Sequence, residues 1–436
     1  MKPAAPAPAG TTPSGGRFRL RVALLVALGI FAQESVWNFH DAQTPATLAM
    51  YTTSAALIGL IMGLDNLLGI FIQPLMGHLS DRTRSRWGRR TPYLVIGVPV
   101  AAVLFVLIPF APTFPVLIVV IVLFALTANS FKPISEALVA DQQVPQHRSK
   151  ANAIARSASG LTVIVSALLS LFVVDESVEL AYAISAGLMI LCIAILVLTL
   201  REPRTDAYRA VVDEDAQSDA PRIRFFPALA EIVTAKDKSR LFMVISIVLV
   251  WGSWAAIRAL LTLYGMEVLG LSRGDAGGFT LPAGIVFIIV AIPVAIVSDR
   301  IGRRIVMRVG VVVFALGALV VFVSASVVGT YVGVLVAAAG FSGFAVNAAV
   351  MLWNLAPSAR LLGLYTGVFS VAQAIGSAAG PGALGGLVDL TDWSLLMPFI
   401  AGLSLVGLAF TFGVRREYAP VEADEVPAVA DPARSE

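Results

Sequence analysis

A charged signature occurs twice in this chain, each time between two apolar stretches. Residues 77–90 read Gly-His-Leu-Ser-Asp-Arg-Thr-Arg-Ser-Arg-Trp-Gly-Arg-Arg, and residues 295–304 read Ala-Ile-Val-Ser-Asp-Arg-Ile-Gly-Arg-Arg. Asp81 and Asp299 stand 218 positions apart (299 − 81), half of the 436 residues. A chain built this way has two similar halves. Its composition says where they reside: 58% of residues are hydrophobic and 14% are charged. A soluble domain carries about a quarter charged residues, so the bilayer is the expected solvent.

About 20 apolar residues cross a bilayer. On that rule the sequence predicts an all-α membrane protein with twelve spans, near 20–40, 53–79, 93–112, 115–140, 151–174, 180–200, 241–265, 277–298, 305–326, 329–355, 362–388 and 394–413. The first follows Arg17, Arg19 and Arg21 and is too long for a signal-peptide core, so it reads as a retained span. The spans divide into a six-helix bundle over 17–200 and another over 241–416. Residues 201–240, mixed in charge and Pro-containing, read as a cytoplasmic linker. Residues 1–16, rich in Ala, Pro, Gly and Thr, and the acidic residues 417–436 read as disordered tails.

The loops alternate in charge. Arg82 to Arg90, Arg148 and Lys150, Arg300 to Arg308, Arg360, and Arg415 with Arg416 crowd one set. The other set holds His40 and Asp41, Asp175 to Glu179, Asp389 and Asp392, with Arg273 as its one clear cation. This is the positive-inside pattern, which predicts the cytoplasmic membrane with both termini cytoplasmic. It also removes the reason to read the net charge of +3 as a nucleic-acid signal. Cys192 is the single cysteine, so no disulfide forms within the chain. No phosphate-cradling loop, His-Glu-x-x-His or Cys-x-x-Cys occurs, so an ATPase, a metalloprotease and a zinc site lack support, and neither an enzyme nor a cofactor is expected.

Polar residues are unevenly shared among the spans. The third, sixth, ninth and twelfth hold no Asn or Gln and no charged residue beyond Arg308, at the arginine-loop end of the ninth. The first, fourth, seventh and tenth hold Glu34 and Asn38; Asn129, Lys132 and Glu136; Arg258; and Asn347 and Asn354. A charge at the bilayer centre costs about 2.5–3.5 kcal/mol on insertion scales, so such groups face a cavity or one another. Spans one, four, seven and ten are therefore expected around a central path, with three, six, nine and twelve against lipid. Gly59 and Gly63, Gly363 and Gly367, and Gly376 and Gly380 give spans two and eleven faces for close helix packing or for sliding during gating.

The repeated Ser-Asp-Arg…Gly-Arg-Arg loop, one per half, resembles the major facilitator superfamily from about Arg17 to Arg416. That resemblance implies two pseudo-symmetric six-helix bundles around a midplane site. The first copy carries an insertion, Thr83-Arg84-Ser85-Arg86. In this it resembles the glycoside–cation symporters, among them the melibiose permeases and plant sucrose transporters. Further stretches are similar to bacterial relatives of the sucrose carriers: Leu64-Asp65-Asn66 with Gln73-Pro74; Ala137-Leu138…Asp141 with Arg148-Ser149-Lys150-Ala151-Asn152; Tyr264…Leu269-Gly270-Leu271; and Tyr365-Thr366-Gly367…Gly380-Pro381. The resemblance implies transport of a neutral sugar by a monomer. Sodium symporters of the melibiose type place two acidic residues four apart on the second helix, where this chain has Gly69 and Gln73. A hard cation wants carboxylate oxygens, so sodium is disfavoured and a proton is the expected coupling ion. The rival readings are a drug or metabolite exporter of the same fold, weakened because residues 151–174 contain no proline, and a non-transporting receptor or scaffold.

Three groups of candidate residues follow. For gating they are Gly77, Asp81, Arg82, Gly88, Arg89, Arg90, Asp299, Arg300, Gly302, Arg303 and Arg304. An aspartate among so many arginines is expected to pair with one of them, or with a helix N-terminus across the bundle. For proton coupling they are Glu136, Asp65 and Glu34, with Arg156 as a possible partner of Glu136. Asn129, Lys132 and Glu136 share one helical face, beside the kink expected at Pro133. Lys132 lies about 13 Å from the cytoplasmic end by helix rise. A static Lys132–Glu136 pair is the structural alternative, and Asp65 could serve only as a hydrogen-bond acceptor. For substrate binding the candidates are Trp37, Asn38, Asn129, Lys132, Trp251, Trp254, Arg258, Asn347, Asn354 and Gln373, because a sugar needs a flat apolar face and fanned hydrogen-bonding groups. Tryptophans in spans also serve as packing or interfacial residues.

Overall fold

The structure is a computed structural model that describes residues 18–142, 148–200, 237–356 and 362–414. The expected tails and most of the expected linker lie outside those residues, as do Arg17, Arg360, Arg415 and Arg416. Twelve long helices carry the described chain: α1 Leu20–Ala49, α2 Ala55–Arg82, α3 Thr91–Leu107, α4 Phe114–Asp141, α5 Arg148–Leu169, α6 Val178–Thr199, α7 Ser239–Leu269, α8 Leu281–Ile301, α9 Arg303–Ser324, α10 Val327–Trp353, α11 Leu362–Leu390 and α12 Leu396–Phe412. One wide π-turn, Ser170–Val174, extends α5, and a one-turn helix, Arg273–Gly277, leads into α8. Among the described residues, eleven helices are long and apolar enough to cross a membrane.

The first helix differs from its expected span. It continues to Ala49 through Pro45, so His40 and Asp41 are helical and not in a loop. His40 is 1% exposed, and Gln43, Thr44 and Thr47 beside it are buried too. Polar partners hold this last part: Gln43 Nε2 donates to Ser170 Oγ at 2.9 Å, and Thr44 Oγ1 lies 3.1 Å from Tyr182 Oη.

The described chain forms two compact units. One draws on Met1–Thr53, Leu67–Ala220 and Leu261–Ile288, the other on Ser54–Asn66, Pro221–Leu260 and Ile289–Glu436. Each therefore combines helices of one sequence half with helix ends of the other. In the first, α1 packs against α4, α5 and α6, and α3 packs against α4 and α6. Its centre is aromatic: Phe105 lies 4.7 Å from Tyr182 and 5.1 Å from Phe124, centroid to centroid, and Phe39 lies 5.2 Å from Tyr182.

In the second unit α9 packs on α10 and α12. Glycines make the α9–α10 approach possible. A Cβ on Gly310 would strike Gly340 and Gly343, and one on Gly317 would strike Gly333 and Ala337. The pairs Gly59 with Pro381, Gly63 with Ala378, and Gly376 and Gly380 with Gly252 bring α2 and α7 onto α11 in the same way. Large apolar side chains stand exposed on α3 (Ile96, Val103), α6 (Leu191, Leu198) and α9 (Leu316, Val323), whereas none of those described on α7 does. Exposed apolar faces of that extent suit lipid contact.

Candidate functional site

The first arginine loop is an ion cluster built on a residue from elsewhere. Arg89, 2% exposed, donates from Nη2 to Asp141 Oδ1 at 2.8 Å and from Nε to Asp141 Oδ2 at 3.3 Å. Arg90 donates from Nε to Asp141 Oδ2 at 2.8 Å, reaches Asp81 Oδ1 with Nη2 at 2.6 Å, and bonds Ser80 Oγ. The expected partner of Asp81 is thus Arg90 of its own loop, and Asp81 remains 49% exposed. Asp141, at the end of α4, holds both arginines, and the sequence reading gave it no role. Gly88 turns the chain into α3 at φ 106°, and Gly302 turns it into α9 at φ 100°. That left-handed backbone is open to glycine and strained for other residues. The two copies share this backbone and differ in their described ion pairs. Asp299 is 65% exposed and pairs with Arg303 one turn on, at 2.8 Å. Arg82 and Arg300 are exposed, Arg304 is half-buried, and a Cβ on Gly77 would meet nothing within 4 Å.

A polar seam runs between α1, α2, α4 and α5 in the first unit. Lys132 Nζ lies 3.7 Å from Glu34 Oε1, which also accepts from Gln33 Nε2 at 3.3 Å. Lys132 therefore pairs with Glu34 and not with Glu136, which is exposed and has no ion pair among the described residues. A lysine placed N-terminal to a glutamate is the less favourable order on one helix, so the carboxylate of α1 prevails. Asn38 Nδ2 donates to Glu34 O at 2.9 Å and to Thr162 Oγ1 at 2.8 Å. Asn129 is 3% exposed; its Oδ1 accepts from Gln73 Nε2 at 2.8 Å, and its Nδ2 donates to Ala125 O at 3.0 Å. A Cβ on Gly69 would sit 2.8 Å from Gln73 Nε2 and 2.9 Å from Asn129 Oδ1. The missing side chain is what leaves room for the amide bridge. Trp37, 7% exposed, packs 5.2 Å from Phe124 and 5.5 Å from His40. Arg156 is exposed on α5.

The second unit holds the other candidates. Trp254 stacks on Phe341 at 4.5 Å and 9°, so one ring face is already covered. Trp251 meets Phe341 and Phe369 edge to face at 5.1 and 5.7 Å. Asn347 is 0% exposed and donates to Ser298 Oγ at 2.9 Å and Gly343 O at 2.8 Å, which makes it a joint between α10 and α8. Asn354 closes α10, and Arg258 and Gln373 are half-buried. Asp65 accepts from Asn66 Nδ2 at 2.7 Å. The structure thus joins Glu34, Asn38, Lys132, Asn129 and Gln73 into one seam, places Asp65, Trp251, Trp254, Arg258 and Asn347 in the other unit, and leaves Glu136 and Arg156 outside the seam's bonding. Among the described residues no cluster of three His, Cys, Asp or Glu could hold a metal ion.

Known proteins resemble the chain in three ways. A human membrane-associated transporter protein is 33% identical over 76 residues, 17% of this chain and 14% of its own length. Sucrose transport protein SUC4 of Arabidopsis thaliana is 59% identical over 29 residues, 7% of this chain and 6% of its own. These matches span a small part of the relatives. The crystal structure of the nucleoside transporter NupG superposes with a TM-score of 0.71 at 15% identity, over 91% of this chain and 100% of that one, which shows the fold. The family model described as Major Facilitator Superfamily matches residues 21–293 and 279–434. With twelve long helices and nearly the whole chain matched, the protein belongs to the Major Facilitator Superfamily, a family of multi-pass membrane transporters and not of enzymes.

Proposed function

We propose that the protein is a proton-coupled symporter of a neutral mono- or disaccharide or glycoside, working by alternating access. In this reading it is a monomer in the cytoplasmic membrane with both termini cytoplasmic. The observation that carries the reading is the seam's chemistry. The positions where a melibiose-type sodium carrier would be acidic are an empty Cα and an amide, and the amide is engaged with Asn129. The one lysine in the seam is offset by Glu34. Amides, a hydroxyl and a neutralised ion pair suit a hydroxyl-rich neutral ligand better than an anion. The short match to a sucrose transport protein points the same way.

Glu34 is the favoured proton carrier among the three acids. Protonating it removes the charge that attracts Lys132 and weakens that link between α1 and α4, so proton occupancy is tied to the contact between these helices. The test is uptake of a labelled sugar panel into proteoliposomes under an imposed pH gradient or an imposed sodium gradient. Saturable uptake driven by the pH gradient alone supports the reading. Sodium-driven uptake at clamped pH refutes the coupling. A panel in which no sugar is carried while a lipophilic cation or a carboxylate is carried replaces the symporter with an exporter.

A further inference from the structure

The helix ends away from the arginine loops carry two contacts built to one plan. Ser54 precedes α2, and Ser272 precedes the one-turn helix before α8. Each serine accepts a backbone N–H three residues on: Leu57 N donates to Ser54 Oγ at 3.2 Å, and Asp275 N to Ser272 Oγ at 3.1 Å. That is the ordinary N-cap bond. Each hydroxyl then donates its own proton to an aspartate of the opposite sequence half. Ser54 Oγ donates to Asp389 Oδ2 at 2.6 Å, and Ser272 Oγ to Asp175 Oδ2 at 2.5 Å. The same carboxylates take the free amides of the helix start. Ala55 N and Ala56 N donate to Asp389 at 2.6 and 3.0 Å, and Gly274 N donates to Asp175 at 2.7 Å.

The repeat makes these contacts equivalent. Ser54 and Ser272 are 218 positions apart (272 − 54), like Asp81 and Asp299. After the four-residue insertion Thr83–Arg86 the offset falls to 214, as for Gly88 and Gly302, and Asp175 and Asp389 are 214 apart (389 − 175). One serine and one aspartate of the duplicated unit are therefore used crosswise, each aspartate fastening the other half's helix start. An adventitious surface contact has no reason to recur at both equivalent positions. Close packing supports each. A Cβ on Gly385 would strike Ala55, and one on Gly274 would strike Asp175 and Ser170. Arg273 adds bonds to Gln43 Oε1 at 2.8 Å, Gln43 O at 2.7 Å and Thr47 Oγ1 at 2.7 Å, and Thr262 donates to Ala42 O at 2.7 Å.

The geometry points to Asp175 and Asp389 as gating residues of the transport cycle, a reciprocal pair of carboxylate latches that hold the two sequence halves shut at the acidic-loop face. Opening that face requires both carboxylates to leave their serines and helix amides. Both aspartates are exposed, so water replaces the lost partners and release stays within reach of the cycle. This gate depends on alternating access and not on the identity of the substrate or the coupling ion.

Thiol accessibility in purified full-length protein tests it without any substrate. The background is Cys192→Ser, which removes the one native thiol. Ala42→Cys, at a position 1% exposed beside Thr262, reports the acidic-loop end; Gly77→Cys, where a Cβ has open space, reports the arginine-loop end. The pair Asp175→Asn with Asp389→Asn should raise maleimide labelling at Ala42→Cys by about tenfold, the shift expected from losing charge-assisted bonds in a two-state balance. Labelling at Gly77→Cys should fall. Ser54→Ala with Ser272→Ala should move both reporters in the same directions by less. Unchanged labelling at Ala42→Cys overturns the gate. Faster labelling at both reporters also overturns it, since that marks fasteners of the fold. Either result leaves the sugar and proton reading standing, and failure of sugar uptake leaves this gate standing.

Discussion

Asp141 and Asp81 make opposite cases from similar chemistry. Asp141 accepts from two buried arginines, so neutralising it removes the carboxylate that both share. Breaking a buried pair from one side costs about 3–5 kcal/mol. Asp81 is half exposed, and an exposed ion pair contributes about 0–1 kcal/mol. Asp141→Asn should therefore lower the thermal midpoint in detergent far more than Asp81→Asn. Equal midpoints would show that Asp141 does not hold the cluster. Asp81→Asn should instead impair turnover with little loss of folded protein, read as initial uptake rate per folded molecule, because its bond to Arg90 ties α2 to the loop. The arginine loops and their two glycines were legible because the motif repeats and each glycine stands where the chain must turn. Asp141 was not, since its partners are 51 and 52 residues away. One signal pointed to it: an acidic residue at the end of a span on the cation-rich side of the chain.

Helices α9 and α10 show how small residues set an element's position. Gly310, Gly317, Gly333 and Gly340 face backbone of the opposite helix. Gly340→Ala should destabilise the protein, since overpacking costs about 1–3 kcal/mol and the obstacle is the Phe314 backbone, which cannot rotate away. Gly187→Ala in α6 and Gly402→Ala in α12 should do the reverse. A Cβ there meets nothing within 4 Å, and replacing a helix-interior glycine by alanine stabilises by about 0.5–1 kcal/mol. Melting curves of the three variants in one detergent check the sign of each. Sequence reading found the small residues of α2 and α11 but not this second pair, whose glycines recur at seven and not four. The end of α1 was missed for a related reason. Hydropathy counts His40, Gln43, Thr44 and Thr47 as loop, whereas Ser170, Tyr182 and Arg273 satisfy Gln43, Thr44 and Thr47 inside the fold.

Across the whole molecule the duplication is read most directly, and it does not extend to the polar interior. The two Gly-Arg-Arg turns match in backbone, whereas the described contacts of the second half differ from the seam of Glu34, Lys132, Asn129 and Gln73: they include stacked aromatics and the Asn347–Ser298 joint, with Arg258 half-buried nearby in the sequence. Residue types alone offer Glu136 as a partner for Lys132, because neighbours on one helix are visible in a sequence and a carboxylate on another helix is not. This asymmetry sharpens the coupling expectation. If Glu34 carries the proton, Glu34→Gln fixes the seam in its protonated form and leaves Lys132 without its carboxylate. Accumulation against a gradient should then be abolished, since no proton enters or leaves with substrate. Exchange of labelled for unlabelled substrate across the same membrane should survive, because it needs binding and alternation but no net proton movement. Glu136→Gln, exposed and outside the seam, should retain both. Gradient-driven accumulation by a well-expressed Glu34→Gln variant would remove Glu34 from the mechanism, and its loss in Asp65→Asn with exchange intact would move the proton to the second unit.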